Sequence, residues 1–395
     1  MLSIIVAIVL ESRSSIVGFS AAGILIYLNQ YRIGLNLKKL IITAILLGSG
    51  VLALAGYMKV DSSLGRLFIY KISFAMYKEN WLFGVGMGQF KSTYPYYQAN
   101  YFAKGVYSDK ELLLADNTYY VFNDYFQFII EAGVVGIVAV ISFMVFIVKL
   151  LKTSLSSKNH ILVLRFCVVT IISICVSACF NHIFYLIQYQ VGICILICLS
   201  SYLAFQNNGG AQFTILVICL IIFFGVVGSK YDFNIRKYLA EQRLDEINNL
   251  YRAGSKLEAK RALLNSSKIL NKSASYLKLQ SYIQFCEGDL EASEATLRKL
   301  LSSEVSSDCL MKIGRICQLQ NDFLNAEIAL KQAINMVPNR FKPRYLLYQL
   351  YVEHGNFTAA NRCKSQILSL PIKVPSTEVS LIRSSLMRTS VDRTQ

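Results

Sequence analysis

Apolar residues are distributed unevenly along the chain and divide it into two parts. Long apolar runs occupy 1–10, 14–29, 40–57, 127–150, 161–180, 186–205 and 211–228. Several of these approach the roughly 20 residues that a helix needs to cross a bilayer, whereas 230–395 contains no apolar run of that length. The pattern predicts an all-α protein, with a polytopic transmembrane helical domain over 1–229 and a soluble helical part from 230.

The first apolar run, 1–10, is too short to cross a bilayer. No basic segment precedes it, as one would in a signal peptide. We therefore expect this run to be the end of a helix, and the chain to be the C-terminal part of a larger membrane domain.

The basic residues between the apolar runs predict the topology. Tyr31–Lys39 and Lys149–Arg165 are rich in Lys and Arg, which places them in the cytoplasm by the positive-inside rule. The segment 58–124 and the turn Asn181–Tyr189 then lie outside. If 211–228 also spans, everything after residue 230 lies outside as well, in the periplasm of a bacterium.

The outer segment 58–124 contains two recognisable patterns. Phe68, Ile72, Ala75 and Met76 form a helical stripe, which we expect to lie on the membrane surface. After it, Gly84, Gly86 and Gly88 alternate in Leu82-Phe-Gly-Val-Gly-Met-Gly-Gln-Phe90. Glycines at this spacing allow a tight turn or a close approach to a ligand. The run lacks the Gly-Lys-Ser/Thr of a phosphate loop, and taken on its own it favours a plain connecting loop.

Ionisable residues at membrane depth are costly and therefore mark candidate functional positions. The predicted outer edge of the membrane part carries Glu11, Arg13, Arg66, Asp116, Asp124, Glu131 and His182. Structural alternatives exist for several of them. Arg13 can extend to the headgroups, Arg66 can anchor to them, Glu131 can satisfy an interhelical hydrogen bond, and His182 can stabilise a turn.

The two arginines have a chemical rationale. A planar guanidinium binds phosphate oxygens through two hydrogen bonds and stays charged at any working pH, so Arg13 and Arg66 suit a lipid diphosphate. The sequence shows no Ser–His–Asp set and no metal-binding cluster, and its ten cysteines form no zinc-type pairs. We therefore predict neither a metal nor a cofactor.

The net charge of +16 suits contact with anionic lipid headgroups and the bilayer. Nucleic acid is disfavoured as a partner. The basic residues are spread through helices, whereas a nucleic-acid site has a patch interleaved with aromatic residues.

Three blocks of the membrane part together resemble the O-antigen ligase / O-antigen polymerase superfamily. The first is Glu11-Ser-Arg-Ser-Ser15, which opens a transmembrane helix. The second joins Ser63-Leu-Gly-Arg-Leu-Phe-Ile-Tyr-Lys-Ile72 to Asn80-Trp-Leu-Phe-Gly-Val-Gly-Met-Gly-Gln-Phe90. The third is Asn123-Asp-Tyr-Phe-Gln-Phe-Ile-Ile-Glu-Ala-Gly-Val-Val-Gly136. They follow the family's order and spacing over roughly residues 5–150.

The resemblance implies glycosyl transfer at the periplasmic face of the bacterial inner membrane. An undecaprenyl-diphosphate-linked glycan would be the donor, and a lipid, a growing glycan or a protein would be the acceptor. Arg13 and Arg66 would bind the diphosphate and stabilise the leaving group. The loop residues Gly84, Gly86, Gly88 and Asn123 would lie near the substrate.

One position departs from the family. Its members usually have His directly before the Asn of the third block, and this chain has Phe122 there. Phenylalanine cannot accept a proton. Asp116, Asp124 and His182 are therefore candidates for the base, unless this branch works differently or is inactive.

The second part of the chain repeats with a fixed period. Gly254, Gly288, Asn321 and Gly355 are spaced by 34, 33 and 34 residues, and Pro338 and Pro371 by 33. This period, with Gly at a turn and Ala soon after it, is typical of tetratricopeptide repeats, which form α-solenoids. We predict such an array over 230–372, weaker in its first repeat, and a loosely ordered tail over 373–395.

Tetratricopeptide arrays bind peptides or proteins on a concave surface, although these repeats could instead only brace the membrane part. Two functions therefore remain open. One is a membrane glycosyltransferase of the O-antigen ligase type. The other is a non-catalytic, membrane-anchored scaffold that binds protein partners through its repeats.

Overall fold

A computed structural model describes residues 60–156, 161–204 and 238–388 of the chain. The apolar runs predicted at 1–10, 14–29, 40–57 and 211–228 lie outside these ranges, as does Arg13. Every regular element within them is a helix. The described residues form two compact units. The first comprises 60–90, 120–156 and 161–204, and the second comprises Lys91–Tyr119 and 238–388.

The helices follow one another in chain order through both units. Besides a single turn of 3₁₀-helix at Ile183–Tyr185, they are α1 (Val60–Glu79), α2 (Phe90–Ala103), α3 (Asp109–Leu114), α4 (Asp124–Ser156), α5 (Ile161–Ala178), α6 (Ile187–Ala204), α7 (238–252), α8 (Lys256–Leu270), α9 (Ala274–Cys286), α10 (Leu290–Leu301), α11 (Ser307–Leu319), α12 (Phe323–Met336), α13 (Phe341–Glu353), α14 (Phe357–Ser369) and α15 (Thr377–Arg388).

Three residues of the predicted apolar stripe of α1 are buried inside the first unit. Phe68, Ile72 and Met76 recur every fourth residue and are buried, because this spacing places them on one face. The stripe therefore packs against protein, where the sequence had suggested the membrane surface. The opposite face leaves Leu67 and Phe74 exposed.

Helix α4 is the described helix best suited to cross a membrane. Within the described ranges, Asp124–Ser154 is the one stretch long and apolar enough to span, while Val163–Ala178 and Gln188–Leu203 are shorter apolar helices. The chain of α4 is bent at Gly133, whose φ of 61° and ψ of −139° are not helical. The short N-terminal part of α4, which carries Asp124, Gln127 and Glu131, is thereby set apart from the long apolar part.

Helices α7 to α14 of the second unit form a helical array with one continuous apolar core. Each predicted turn residue has a positive φ: 95° at Gly254, 83° at Gly288, 60° at Asn321 and 70° at Gly355. In the last three repeats the next residue caps the following helix, as Asp289, Asp322 and Asn356 each accept a backbone N–H. Ser255 makes no such bond in the first repeat. The assignment of the array to the tetratricopeptide class stays a prediction.

A small side chain is buried five residues after each of these turns. The four positions are Ala259, Ser293, Ala326 and Ala360, and none is more than 2% exposed. In the second repeat this buried position is occupied by Ser293, and the neighbouring Ala292 is only partly buried. The Ser293 hydroxyl remains satisfied because it donates to the carbonyl of Ser281 at 2.8 Å.

The segment Lys91–Tyr119 belongs to the second unit, although the chain enters it from Phe90 and leaves it at Tyr120, both in the first unit. Its Ala99 lies in an apolar cluster with residues of α11 and α12, and its Leu112 in another with residues of α13, α14 and α15. We call it the inserted segment. The predicted outer loop 58–124 is thus shared between two units.

Polar contacts, centred on Asn339, hold the inserted segment in the second unit. The buried side-chain amide of Asn339 donates to the carbonyl oxygens of Leu112 and Ala115, at 2.8 and 2.7 Å. Gln98 donates in turn to the carbonyl of Met336. Because α3 is short and ends here, Asn339 satisfies carbonyls that no later helical turn can reach.

The end of the chain contains a helix where the sequence suggested a loosely ordered tail. In α15, Ile382 and Leu386 are buried against Leu370 and Ile367 of the array. These apolar residues lie one turn apart within a Ser-, Thr- and Arg-rich stretch. The composition of the tail therefore hides an amphipathic pattern.

We expect Asn339→Asp to loosen the inserted segment. The change keeps the side-chain shape but sets carboxylate oxygens against carbonyl oxygens, at a cost of about 1–3 kcal/mol. The measurement is the rate of tryptic cleavage after the exposed Lys104, between α2 and α3, in detergent-purified protein. Asn361→Asp, at an exposed position of α14, is the control. Equal cleavage of the two variants would show that Asn339 does not hold the segment.

Candidate functional site

The glycine loop, residues 82–88, is fastened to the bend in α4. Val85 and Gly86 donate to the carbonyls of Ile130 and Glu131, at 3.1 and 3.0 Å, and Val134 donates back to Leu82 at 3.2 Å. Two blocks that lie 45 residues apart in sequence therefore pair backbone to backbone. The glycines approach another part of the backbone and not, in this pairing, a ligand.

Gly84 and Gly133 make this contact possible. Both have positive φ, 69° and 61°. A Cβ on Gly84 would lie 2.3 Å from the carbonyl oxygen of Glu131, and one on Gly133 would lie 2.5 Å from that of Leu82. Neither position has room for a side chain. Each glycine is therefore required because the backbone of the other segment approaches it so closely.

Glu131 is buried in this contact and joins three elements. Its carboxylate accepts the backbone N–H of Gly88 at 2.9 Å, the amide of Gln127 at 3.2 Å and the hydroxyl of Tyr185 at 3.1 Å. The bond from Tyr185, which lies in the 3₁₀ turn, is an interhelical hydrogen bond of the kind that was one alternative for Glu131. Glu131 connects the glycine loop to the 3₁₀ turn after α5.

Asn123 lies directly before α4 and caps its first turn. Its Oδ1 accepts the N–H of Phe126 at 2.9 Å, as a helix N-cap does, and its side chain bonds to Tyr70 of α1. Phe122, directly before it, has a φ of 59°. This left-handed conformation is strained for a bulky residue, whereas histidine is among the residues that adopt it more often.

Phe122 contacts both Arg66 and His182. The Arg66 guanidinium carbon is 5.5 Å from the centre of the Phe122 ring, within the range of a cation–π contact. The His182 ring also packs against Phe122, edge to face, with centres 5.8 Å apart. No described carboxylate forms an ion pair with Arg66. The structure thus brings together one predicted diphosphate ligand and one predicted base, 116 residues apart in sequence.

Aromatic rings hold the imidazole of His182. Tyr120 stacks on it with centres 4.2 Å apart and planes 3° from parallel. The Nδ1 atom is buried and has no hydrogen-bond partner among the described residues. Burial lowers the pKa of His182 below its usual value of 6.5, so the ring is neutral at pH 7 and able to accept a proton.

Asp124 lies on the wall of a cleft of about 480 Å³ in the first unit. It is buried, and its Oδ2 accepts the backbone N–H of Phe184 at 3.0 Å. Its Oδ1 has no partner in the described part of the chain. The cleft is polar near Asp124, Glu131 and Gly88 and apolar along Ala139 and Phe143 of α4.

The remaining predicted positions are distributed differently. Asp116 belongs to the second unit, where Arg340 and Lys373 lie 3.6 and 3.5 Å from its carboxylate. These contacts favour a structural role for Asp116. Gly86 and Gly88 lie in the glycine loop, with Gly88 on the cleft wall.

Sequence reasoning did not identify the aromatic and amide residues around this site. Tyr70, Tyr120, Gln127 and Tyr185 each contact a predicted residue. A signal was present in the Tyr- and Phe-rich stretch 119–126, but tyrosines near a membrane are also expected as interfacial anchors.

Gly84→Ala and Gly88→Ala form a matched pair of stability tests. Both positions have a φ near 70°, but a Cβ on Gly88 meets nothing within 4 Å. We expect Gly88→Ala to cost about 1–2 kcal/mol through backbone strain. Gly84→Ala should cost more, because it must separate the loop from α4. Thermal unfolding of the purified protein in detergent compares them, and equal losses would contradict the close contact.

Comparison with known proteins points to one family. No curated protein matches the chain. Residues 1–141 match the protein family described as O-antigen ligase. The matched region includes Arg66, the glycine loop, Asn123 and the start of α4, and His182 lies beyond it. The match supports assignment of this part of the chain to the O-antigen ligase superfamily, as the three sequence blocks predict.

Proposed function

We propose that this protein is a membrane glycosyltransferase of the O-antigen ligase type. It would transfer an undecaprenyl-diphosphate-linked glycan to a lipid, glycan or protein acceptor at the periplasmic face of the bacterial inner membrane. The family match over residues 1–141 supports the reaction class. The observation that carries the proposal is the grouping of Arg66, Asn123 and His182 around Phe122.

Arg66 is the proposed ligand of the donor diphosphate, together with Arg13, which lies outside the described residues. Arg66 is partly exposed and none of the described carboxylates neutralises it, so its charge is available to an anion. A fixed guanidinium stabilises the negative charge that develops on the leaving diphosphate. This interaction grows in the transition state, as catalysis requires.

The cleft beside Asp124 suits an amphiphilic substrate. Its polar end carries carboxylates, amides and the Gly88 backbone, and its other end follows the apolar part of α4. A lipid-linked glycan has the same division between a polar sugar and an apolar chain. We propose that the cleft holds the junction between the two.

His182 is the proposed base. The acceptor hydroxyl oxygen forms a bond to the anomeric carbon of the donor sugar, and His182 takes the hydroxyl proton. The bond from that carbon to the diphosphate oxygen breaks, and the lipid diphosphate leaves with the electron pair. Asp124 is the second candidate for the base, through its unpartnered Oδ1.

The helical array and the inserted segment lie on the same side of the membrane, because they form one unit. The chain must then cross the bilayer an even number of times between Tyr120 and residue 238. The four apolar runs predicted there satisfy this condition. We propose that side to be the periplasm, and the array to act as a brace for the outer loop.

We expect Arg66→Ala to abolish glycan transfer in cells and Arg66→Lys to retain part of it, since lysine keeps the charge but not the two-pronged geometry. Removing one such electrostatic contact typically costs about 10²–10³ in rate. The measurement is loss of the acceptor-linked glycan with accumulation of the lipid-linked form. Arg298→Ala, a surface change in α10, is the control at equal protein level. Normal transfer by Arg66→Ala would remove the proposed role.

We expect His182→Ala to reduce transfer by about 10²–10⁴, as for loss of a general base, while His354→Ala in the second unit does not. Phe122→His in the His182→Ala protein should restore part of the activity, because histidine suits the backbone at 122 and places an imidazole beside Arg66. Activity should fall with acidification only at a pH below about 6.5. An unchanged rate in His182→Ala, with a loss in Asp124→Asn, would assign the base to Asp124.

The scaffold alternative is favoured by Phe122 itself, since that position cannot transfer a proton. It predicts normal glycans after deletion of the gene. It also predicts that the set of proteins captured through the repeats changes when the repeats are removed. The ligase proposal does not require such a change.

A further inference from the structure

A second cavity lies wholly within the second unit and is separate from the cluster around Phe122. It has a volume of about 370 Å³ and is formed by α12, α13, α14 and the end of α2. Its wall includes the cations Lys331, Arg344 and Arg362, together with the rings of Phe102 and Tyr107. We call it the Arg344 cavity.

The cations of this cavity outnumber the anions near them. Lys331 is neutralised by Glu327, whose carboxylate lies 2.7 Å away. Arg344 donates to two neutral oxygens, the carbonyl of Pro338 at 3.0 Å and the side chain of Gln366 at 3.3 Å. No described carboxylate lines the cavity or pairs with Arg344 or Arg362. Two positive charges therefore face it without compensation.

Arg344 is the costly member of this pair. Its side chain is partly buried, and its Nε atom is buried and has no hydrogen-bond partner among the described residues. Burial lowers its pKa, but arginine remains charged. A charge partly withdrawn from water is stabilised by an opposite charge, and no described carboxylate supplies one to Arg344.

Other partly buried cations of the unit find partners of their own, Arg383 by donating to the carbonyl of Leu370 and lying over the Phe341 ring. Arg340 meets Asp308 at 2.5 Å, and Lys373 and Arg340 both lie near Asp116. These groups also border a cavity, but that cavity contains its own acids. The Arg344 cavity differs from that one because its wall carries cations and no acid.

We propose that the Arg344 cavity binds an oxyanion, a carboxylate or a phosphate, carried on a group of about the size of one sugar. Cavities of roughly 300–1,000 Å³ are typical of small-molecule sites. The forked guanidinium of Arg344 matches the two oxygens of such a group. Phe102 and Tyr107 supply apolar surface for its carbon skeleton, and Gln366 and Asn335 supply polar atoms for its hydroxyls.

The cavity also links this ligand to the inserted segment. Phe102 and Tyr107 belong to that segment, while both arginines belong to the array. A ligand held between them binds the assembled unit and not the separated parts, and so it stabilises the assembly. Binding should therefore protect Lys104, which lies between Phe102 and Tyr107, from trypsin.

The test measures binding to the full chain in detergent by calorimetry, with glucuronate, glucose 6-phosphate and neutral glucose as probes. We expect the two anionic sugars to bind about ten- to a hundredfold more tightly than glucose and to slow cleavage at Lys104. Binding of one anionic sugar alone still supports the site and identifies carboxylate or phosphate as its group.

Arg344→Met should abolish binding of the anionic probes, and the exposed Arg362→Met should weaken it about tenfold without affecting the fold. Arg315→Met, outside the cavity, should bind normally. Equal binding of glucose and the anionic sugars would overturn the proposal. So would unchanged binding in Arg362→Met, or binding of a short acidic peptide in place of the sugars. Glycan transfer is not measured in this test, so its outcome is independent of the proposed function.

Discussion

The first unit depends on one backbone-to-backbone contact, between the glycine loop and the bend of α4. Gly84 and Gly133 leave no space between the two segments, and three backbone hydrogen bonds close the contact. The contact lies inside α4, the helix that Asn123 caps directly after Phe122. Glu131 then extends the same arrangement to Tyr185, next to the turn that carries His182.

The sequence predicts individual helices better than it predicts what they meet. The four-residue spacing of Phe68, Ile72 and Met76 indicates α1, but a spacing cannot distinguish protein from membrane as the surface that covers it. The alternating glycines likewise indicate close approach and leave the approaching group unnamed. In the second unit, the turn residues follow from the period. The burial of Ser293 could not be predicted in the same way. It depends on the register of the helix, which the period alone does not define to one residue.

The site around Phe122 was only partly predictable for a related reason. Arg66 and His182 could each be chosen by residue type, because their chemistry is unusual for an outer membrane face, whereas Asn123 was chosen only through the resemblance of its block. Their grouping could not, since His182 lies 59 residues after Asn123 and no local pattern joins them. The strained backbone at Phe122 is a further feature that cannot be seen in the sequence. A left-handed backbone there is better suited to the histidine that the family usually has.

The inserted segment also constrains the order in which the protein can assemble. Leu112 and Asn339, which meet in the finished unit, are separated by 227 residues. At ordinary rates of synthesis, roughly 10–45 s pass between their translation. During that interval the apolar sides of α2 and α3 have nothing to cover them and depend on chaperones or the nearby bilayer. The outer loop therefore matures only after the last helices have been made, and an interrupted chain leaves it unassembled.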